Sequence, residues 1–149
     1  MKLGDLLDRD LILPKLKAGT KKQVLAELVA AAVDKLPELD RDTAIEVLTE
    51  RETLGTTGIG DGIAIPHGKL DNLENIVVVV GRSAGGVEYE ALDQKPCHIF
   101  FLVLAPEQVA GMHLRVLAHI SRLLKEDSFR KSFVEADTGD DLWRLLKGA

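Results

Sequence analysis

Cysteine is nearly missing from this chain: Cys97 is the one thiol in 149 residues. A single thiol excludes an internal disulfide framework and suits a reducing compartment. Long apolar runs are missing too. None approaches the roughly 20 residues that span a bilayer, and Met1-Lys2-Leu3-Gly4-Asp5 places an acid where a signal peptide would be apolar. Nor is there a surplus of positive charge. Nineteen basic residues against 24 acidic ones leave a formal charge of −5, with Lys and Arg scattered along the chain. A phosphate backbone demands a basic face, so nucleic-acid binding is not the main task. No internal repeat, low-complexity tract or linker divides the chain. The expectation is one cytoplasmic domain over residues 1–149, without direct membrane insertion and large enough to bury a full core.

Several catalytic signatures are absent as well. A P-loop places four residues between its first glycine and the Gly-Lys pair, then Ser or Thr. Here five residues separate Gly62 from Gly68, and Leu70 follows Lys69. The dinucleotide fingerprint fails because Gly58-x-Gly60-x-Gly62 lacks the last spacing and precedes its short strand. His67, His98, His113 and His119 could serve as zinc ligands, but no HExxH or paired-cysteine spacing occurs. The serine elbow G-x-S-x-G is missing. Cys97, between Pro96 and an apolar strand, lacks the exposed electropositive setting of a nucleophile.

What is present is a stretch that organises the rest, Gly58-Ile59-Gly60-Asp61-Gly62-Ile63-Ala64-Ile65-Pro66-His67-Gly68-Lys69-Leu70. A glycine-rich loop leads into a short strand, Ile63 to Ile65. Pro66 then fixes φ and offers no N–H, so the strand is expected to stop there and present His67 at its end. Gly68 has no Cβ and leaves room beside the imidazole.

Around it, periodicity marks helices and strands. Thr20 and Gln23 have capping-box spacing ahead of Val24, Leu25, Leu28, Val29 and Ala32, with Pro37 as the stop. A second helix covers about 40–52, its buried stripe headed by Ile45 and Leu48 and continued by Arg51 and Glu52. Arg51 has two readings here: a cation easing the helix C-terminus, or a group reaching an anion at the glycine loop. Ile76-Val77-Val78-Val79-Val80 and His98 to Leu104 read as strands covered on both faces. Ser83-Ala84-Gly85-Gly86 reads as a turn, with Val87 to Glu90 as a short returning strand. A long helix, about 109–125, puts His113, Val116, Leu117, Ile120 and Leu124 on one side. His113 is then either a core histidine or part of a site. Asp127-Ser128 and Thr138 cap two closing helices, and Trp143 sits in a docking face. The class is α/β, a single domain with a mixed sheet flanked by helices on both sides.

With nucleotide, zinc and serine chemistry set aside, histidine as a nucleophile toward phosphorus remains. Phosphoryl transfer asks for alignment and for stabilisation of charge on the equatorial oxygens. Amides of the glycine loop from Gly58 could cradle those oxygens. Thr56 and Thr57 could donate hydroxyl hydrogen bonds, and Arg51 or His113 could share the charge.

Arg51-Glu52, Gly55-Thr56-Thr57-Gly58-Ile59-Gly60, Ile63-Ala64-Ile65-Pro66-His67-Gly68 and His113-Leu114 together resemble the enzyme IIA domains of the bacterial phosphotransferase system, fructose/mannitol type. Within that type the chain is most similar to the nitrogen-regulatory branch, over nearly its whole length. The resemblance implies that His67 is phosphorylated on Nε2. It implies a donor, the small histidine-containing phosphocarrier protein, itself charged by enzyme I from phosphoenolpyruvate. It makes His113 the second active-site histidine and Arg51 the pocket arginine, with Thr56, Thr57, Gly58 and Gly68 as binding positions. The family often has Ser-Thr where this chain has Thr56-Thr57, so a hydroxyl is kept. No metal or organic cofactor is expected. His67 should lie in a shallow depression rimmed by Ile59 and Ile63 and meet its donor across a small interface. Three roles stay open: a regulatory phosphocarrier that alters binding to kinases or transporters, a transport component passing phosphate to a cysteine of a sugar-specific IIB domain, and a binding module whose histidine is unused.

Overall fold

The two β-branched and apolar runs build the centre of the molecule. In the computed structural model, which describes residues 2–149, they form β5 (Val77–Val87) and β6 (Cys97–Pro106). These strands pair antiparallel, with Val78 opposite Val103 and Val80 opposite Phe101. Met1, the first residue of the expected domain, lies outside the described residues. The remaining strands are short: β1 (Ile12–Leu13), β2 (Gly58–Gly60), β3 (Ile63–Ala64) and β4 (His67–Leu70). Together they make a six-stranded mixed sheet in the order β1-β5-β6-β3-β2, with β4 also paired to β6.

Side chains alternate across this sheet, and each set meets its own helices. Val77, Val79, Phe100, Leu102 and Leu104 face α1 (Lys21–Lys35) and α2 (Arg41–Thr53). Val78, Val80, Ile99, Phe101 and Val103 face α3 (Ala110–Leu123), α4 (Asp127–Glu135) and α5 (Gly139–Leu146). Both layers are dry: Phe100, Phe101, Leu102 and Val103 are fully buried. This is the single-domain α/β architecture with helices on both sides that the patterning predicted.

Local signals placed the helices well. The Thr20 side chain accepts from the Gln23 amide, and Gln23 Oε1 accepts from Gly19 N at 3.0 Å. Thr138 caps α5 as expected. Asp127 does not act as a cap; α4 begins at that residue, and Glu126 before it makes no side-chain cap. On α2 the fully buried positions are Ala44 and Leu48, with Ile45 at the margin.

Two further expectations need correction. Ser83-Ala84-Gly85-Gly86 does not reverse the chain: β5 runs through it to Val87, with an irregularity between Arg82 and Val87. Ser83 Oγ accepts from Gly86 N at 2.9 Å, while Ser83 O accepts from the His98 ring at 2.8 Å, so a bulge replaces a turn. The reversal falls in the loop at 88–96. The second correction concerns Pro66. The strand does not end there but resumes at His67 in the same register on β6, with Ala64 opposite Phe100 and His67 opposite Val103. Proline lacks an N–H, yet its carbonyl accepts from Val103 N at 2.9 Å, and that carbonyl carries the ladder across the gap.

Candidate active site

Register decides where His67 points. Val103, its partner on β6, belongs to the layer packed against α3, so the imidazole projects to that side. There it meets the His113 ring edge-on, with centroids 5.8 Å apart and an interplanar angle of 71°. The Nδ1 of His67 lies 2.8 Å from the carbonyl oxygen of Ile65. A carbonyl only accepts, so Nδ1 must carry the proton. In the neutral ring the Nε2 lone pair is then free, which is the arrangement of a nucleophile.

His67 is half-buried and borders two hollows, which share Arg51 and His67 in their lining. The larger, about 530 Å³, is lined by Val47, Arg51, Leu54, Lys69 and His113 as well as His67. The smaller, about 140 Å³, is lined by Arg51, Thr56, Thr57, Ile59, His67 and Ser121 among others. A separate depression of about 390 Å³ between Leu36 and Val77 has only apolar, amide and acidic lining and offers an anion nothing. Among the described residues no group of His, Cys, Asp and Glu is arranged to hold a metal.

Arg51 and His113 therefore converge on His67 from opposite elements. Arg51 Nη1 donates to Gly55 O at 2.9 Å, so the cation both closes the end of α2 and borders the site. Its guanidinium has further N–H donors to spare. His113 is only 4% exposed, and its Nε2 has no hydrogen-bond partner. Burial first, then the charges of His67 and Lys69, hold its imidazole below the ordinary value.

The binding positions divide. Thr57 is buried, and its hydroxyl donates to the Glu52 carboxylate, so it has no proton left for a ligand. Thr56 differs. Its Oγ1 accepts from Gly58 N at 3.1 Å and from Lys21 Nζ at 3.5 Å, which leaves its proton uncommitted, and Thr56 borders the smaller hollow together with His67. The Gly58 amide is thereby spent on Thr56; a Cβ at Gly58 would lie 2.8 Å from Ala91 Cβ, so this glycine serves close packing. At Gly68 a Cβ would lie 2.6 Å from Val47 Cγ1. Gly68 lets α2 settle onto β4, and Arg51 stands one turn beyond Val47 on that helix. Of the two expected rim residues, Ile59 is exposed, but Ile63 is buried in the α3-side layer. Leu54 and Leu114, at 84% and 68% exposure, join Ile59 as apolar surface near the site.

The sequence reading passed over Lys21, Lys69, Tyr89 and Ser121. Glu52 carried one usable signal, an acid on a buried stripe, which demands partners. Lys69 follows His67 by two residues on β4, so strand alternation could have placed it on the same face; Lys21, Tyr89 and Ser121 are brought in by packing alone.

Comparison with known proteins now bears on this geometry. Residues 5–149 match the family described as phosphoenolpyruvate-dependent sugar phosphotransferase system, EIIA 2. The chain belongs to that family. This type 2 enzyme IIA domain is a component of the phosphoenolpyruvate-dependent phosphotransferase system. It is 44% identical over 146 residues to a nitrogen regulatory protein of Bradyrhizobium diazoefficiens, covering 98% of this chain and 95% of the relative. It is 38% identical to the fructose-specific EIIABC component of Bacillus subtilis, covering 98% of this chain but 23% of that protein. Its fold matches nitrogen regulatory protein IIA-Ntr from Neisseria meningitidis with a TM-score of 0.88 at 29% identity, over 96% of this chain and 97% of the other.

Proposed function

We propose that this enzyme IIA domain carries a phosphoryl group on Nε2 of His67 and serves phosphotransferase-dependent regulation of the nitrogen type. What carries the reading is the bond from His67 Nδ1–H to the Ile65 carbonyl at 2.8 Å, which leaves Nε2 as the nucleophile beside Arg51 and His113. The donor is a small phosphocarrier protein that bears its own phosphohistidine and is charged from phosphoenolpyruvate by enzyme I. The Nε2 lone pair attacks phosphorus, the new P–N bond forms as the donor's P–N bond breaks, and the donor imidazole leaves with the electron pair. Arg51, the Thr56 hydroxyl and His113 hold the phosphoryl oxygens, so charge is met by groups already in place. Leu54, Ile59 and Leu114 form an apolar contact around the cleft for a donor that must also let go. Among the described residues no helix is long and apolar enough to cross a membrane, and we place the reaction in the cytoplasm.

The 44% identity to a nitrogen regulatory protein favours the regulatory role, in which the phosphorylated and free forms bind a kinase or transporter differently. The 38% identity to a fructose-specific component supports a second reading, transfer from His67 to a IIB cysteine. The test is incubation with phosphoenolpyruvate, enzyme I and the phosphocarrier, with the modified residue mapped by mass spectrometry. One phosphoryl group on His67, lost in a folded His67→Ala variant, is the expected result. A labelled His67→Ala protein overturns the assignment, and no label at all leaves a binding module. Adding IIB domains to the labelled protein then separates regulation from transport.

A further inference from the structure

Behind the cleft lies a buried polar cluster that the transfer reaction as described does not use. Glu52, with its side chain 5% exposed, receives four donors. The Thr57 amide reaches Oε1 at 3.0 Å, and the Thr57 hydroxyl reaches Oε2. The Tyr89 hydroxyl reaches Oε2 at 3.2 Å, and Lys21 Nζ reaches Oε1 at 3.1 Å. Lys21 also stands 4.8 Å from the centre of the Tyr89 ring and 3.5 Å from Thr56 Oγ1. An ion pair with so little solvent costs desolvation that a hydrophobic pair would avoid, so its presence calls for a role other than stability.

That role is legible at Thr56. A hydroxyl oxygen has two lone pairs and one hydrogen. The Gly58 amide and the Lys21 ammonium take the two lone pairs, so the hydroxyl is left only as a donor, and Thr56 lines the same hollow as His67 and Arg51. An ammonium on the oxygen also polarises the O–H and strengthens the bond it gives, as chains of hydrogen bonds do at low dielectric. Glu52 holds Lys21 in place and pins Thr57, while its neighbour Arg51 pins Gly55. Both sides of Thr56 are thus tied to the end of α2.

We propose that Glu52 and Lys21 are positioning residues for phosphoryl transfer, acting through Thr56, whose hydroxyl donates to the phosphoryl group on His67. Neither touches the reacting atoms. The proposal rests on His67 being the acceptor. Its test is single-turnover transfer from the phosphorylated phosphocarrier to the full chain, comparing Glu52→Gln, Lys21→Gln, Thr56→Val and each of the first two combined with the third. Thr56→Val should slow transfer by about 10- to 100-fold, the worth of one hydrogen bond to a charged group. Glu52→Gln and Lys21→Gln should each slow it by about tenfold or more with KM for the phosphocarrier unchanged, because the apolar rim is untouched. Each combined variant should be no slower than its slower single, since the two changes remove one interaction. Lys21→Gln retains a donor toward Glu52 and decides the matter if Glu52→Gln does not fold. Unaltered transfer in both, or slowdowns that multiply with Thr56→Val, overturn the proposal while His67 stays labelled. An unlabelled His67 in the unaltered protein overturns the acceptor assignment and this proposal with it.

Discussion

Gly68→Ala tests how the site is held together, and its size follows from one contact. The added methyl would lie 2.6 Å from Val47 Cγ1. Carbon atoms rest at about 3.5–4.0 Å, so one partner must yield by about 1 Å. Val47 is β-branched and on a helix, where χ1 has essentially one allowed setting. Rotation offers no escape, and the displacement falls on α2. Overpacking of this kind costs about 1–3 kcal/mol, while replacing glycine in a strand returns about 0.5–1 kcal/mol from the unfolded chain. A net loss of about 1–2 kcal/mol remains, lowering Tm by about 2–8 °C for a chain of this length. Transfer should suffer more than stability. Arg51 follows Val47 by one turn, and a 1 Å misplacement at a reacting centre can cost about 100-fold. Thermal unfolding and single-turnover phosphorylation measure the two effects. Val47→Ala in the same chain should restore both, because the nearest remaining contact is Leu48 Cδ2 at 3.8 Å. Unchanged stability and rate in Gly68→Ala, or no rescue by Val47→Ala, would refute this account of how α2 is seated.

Two further outcomes follow. The His113 imidazole is held below its ordinary 6.5 in the folded protein, so below pH 6.5 the unfolded chain binds the proton more readily. Urea midpoints should therefore fall as pH drops from 6.5 toward the folded value, and His113→Gln should flatten that slope; an identical slope in the variant would contradict it. Burial pushes the Cys97 thiol up to about 12, so iodoacetamide at pH 8 should label it only as fast as the protein unfolds, and rapid labelling of the native protein would show the thiol to be accessible.

The site was partly legible because its chemistry is partly local. Pro66 and Gly68 flank His67 in the chain, and their backbone constraints announce a special position. Helical phase placed Arg51 at the end of α2 and His113 on a buried stripe but left the role of each open; the resemblance, not the pattern, pointed to a site. The Thr56-Thr57 pair shows the limit. The two residues are adjacent, chemically alike and border the same hollow, yet Thr57 is buried and gives its proton to Glu52, while the Thr56 hydroxyl only accepts. Nothing in their identity distinguishes them, since Tyr89 and Lys21 arrive from 32 and 35 residues away. The misplaced turn at Ser83-Ala84-Gly85-Gly86 has a similar origin: a turn-like composition was overridden by pairing with β6.

By itself, then, the sequence determined the layers and singled out His67 as a special position. Alternation along Val77–Val80 and Ile99–Leu104 commits one set of side chains to each face, and a proline before histidine constrains the backbone where it stands. Such facts depend on neighbours in the chain. Only the tertiary structure decided which groups border one hollow with His67, which threonine hydroxyl keeps its proton uncommitted, and that β4 resumes beyond Pro66. Those depend on strand register and on the depth to which α2 and α3 settle on the sheet, quantities set by contacts between residues far apart in sequence.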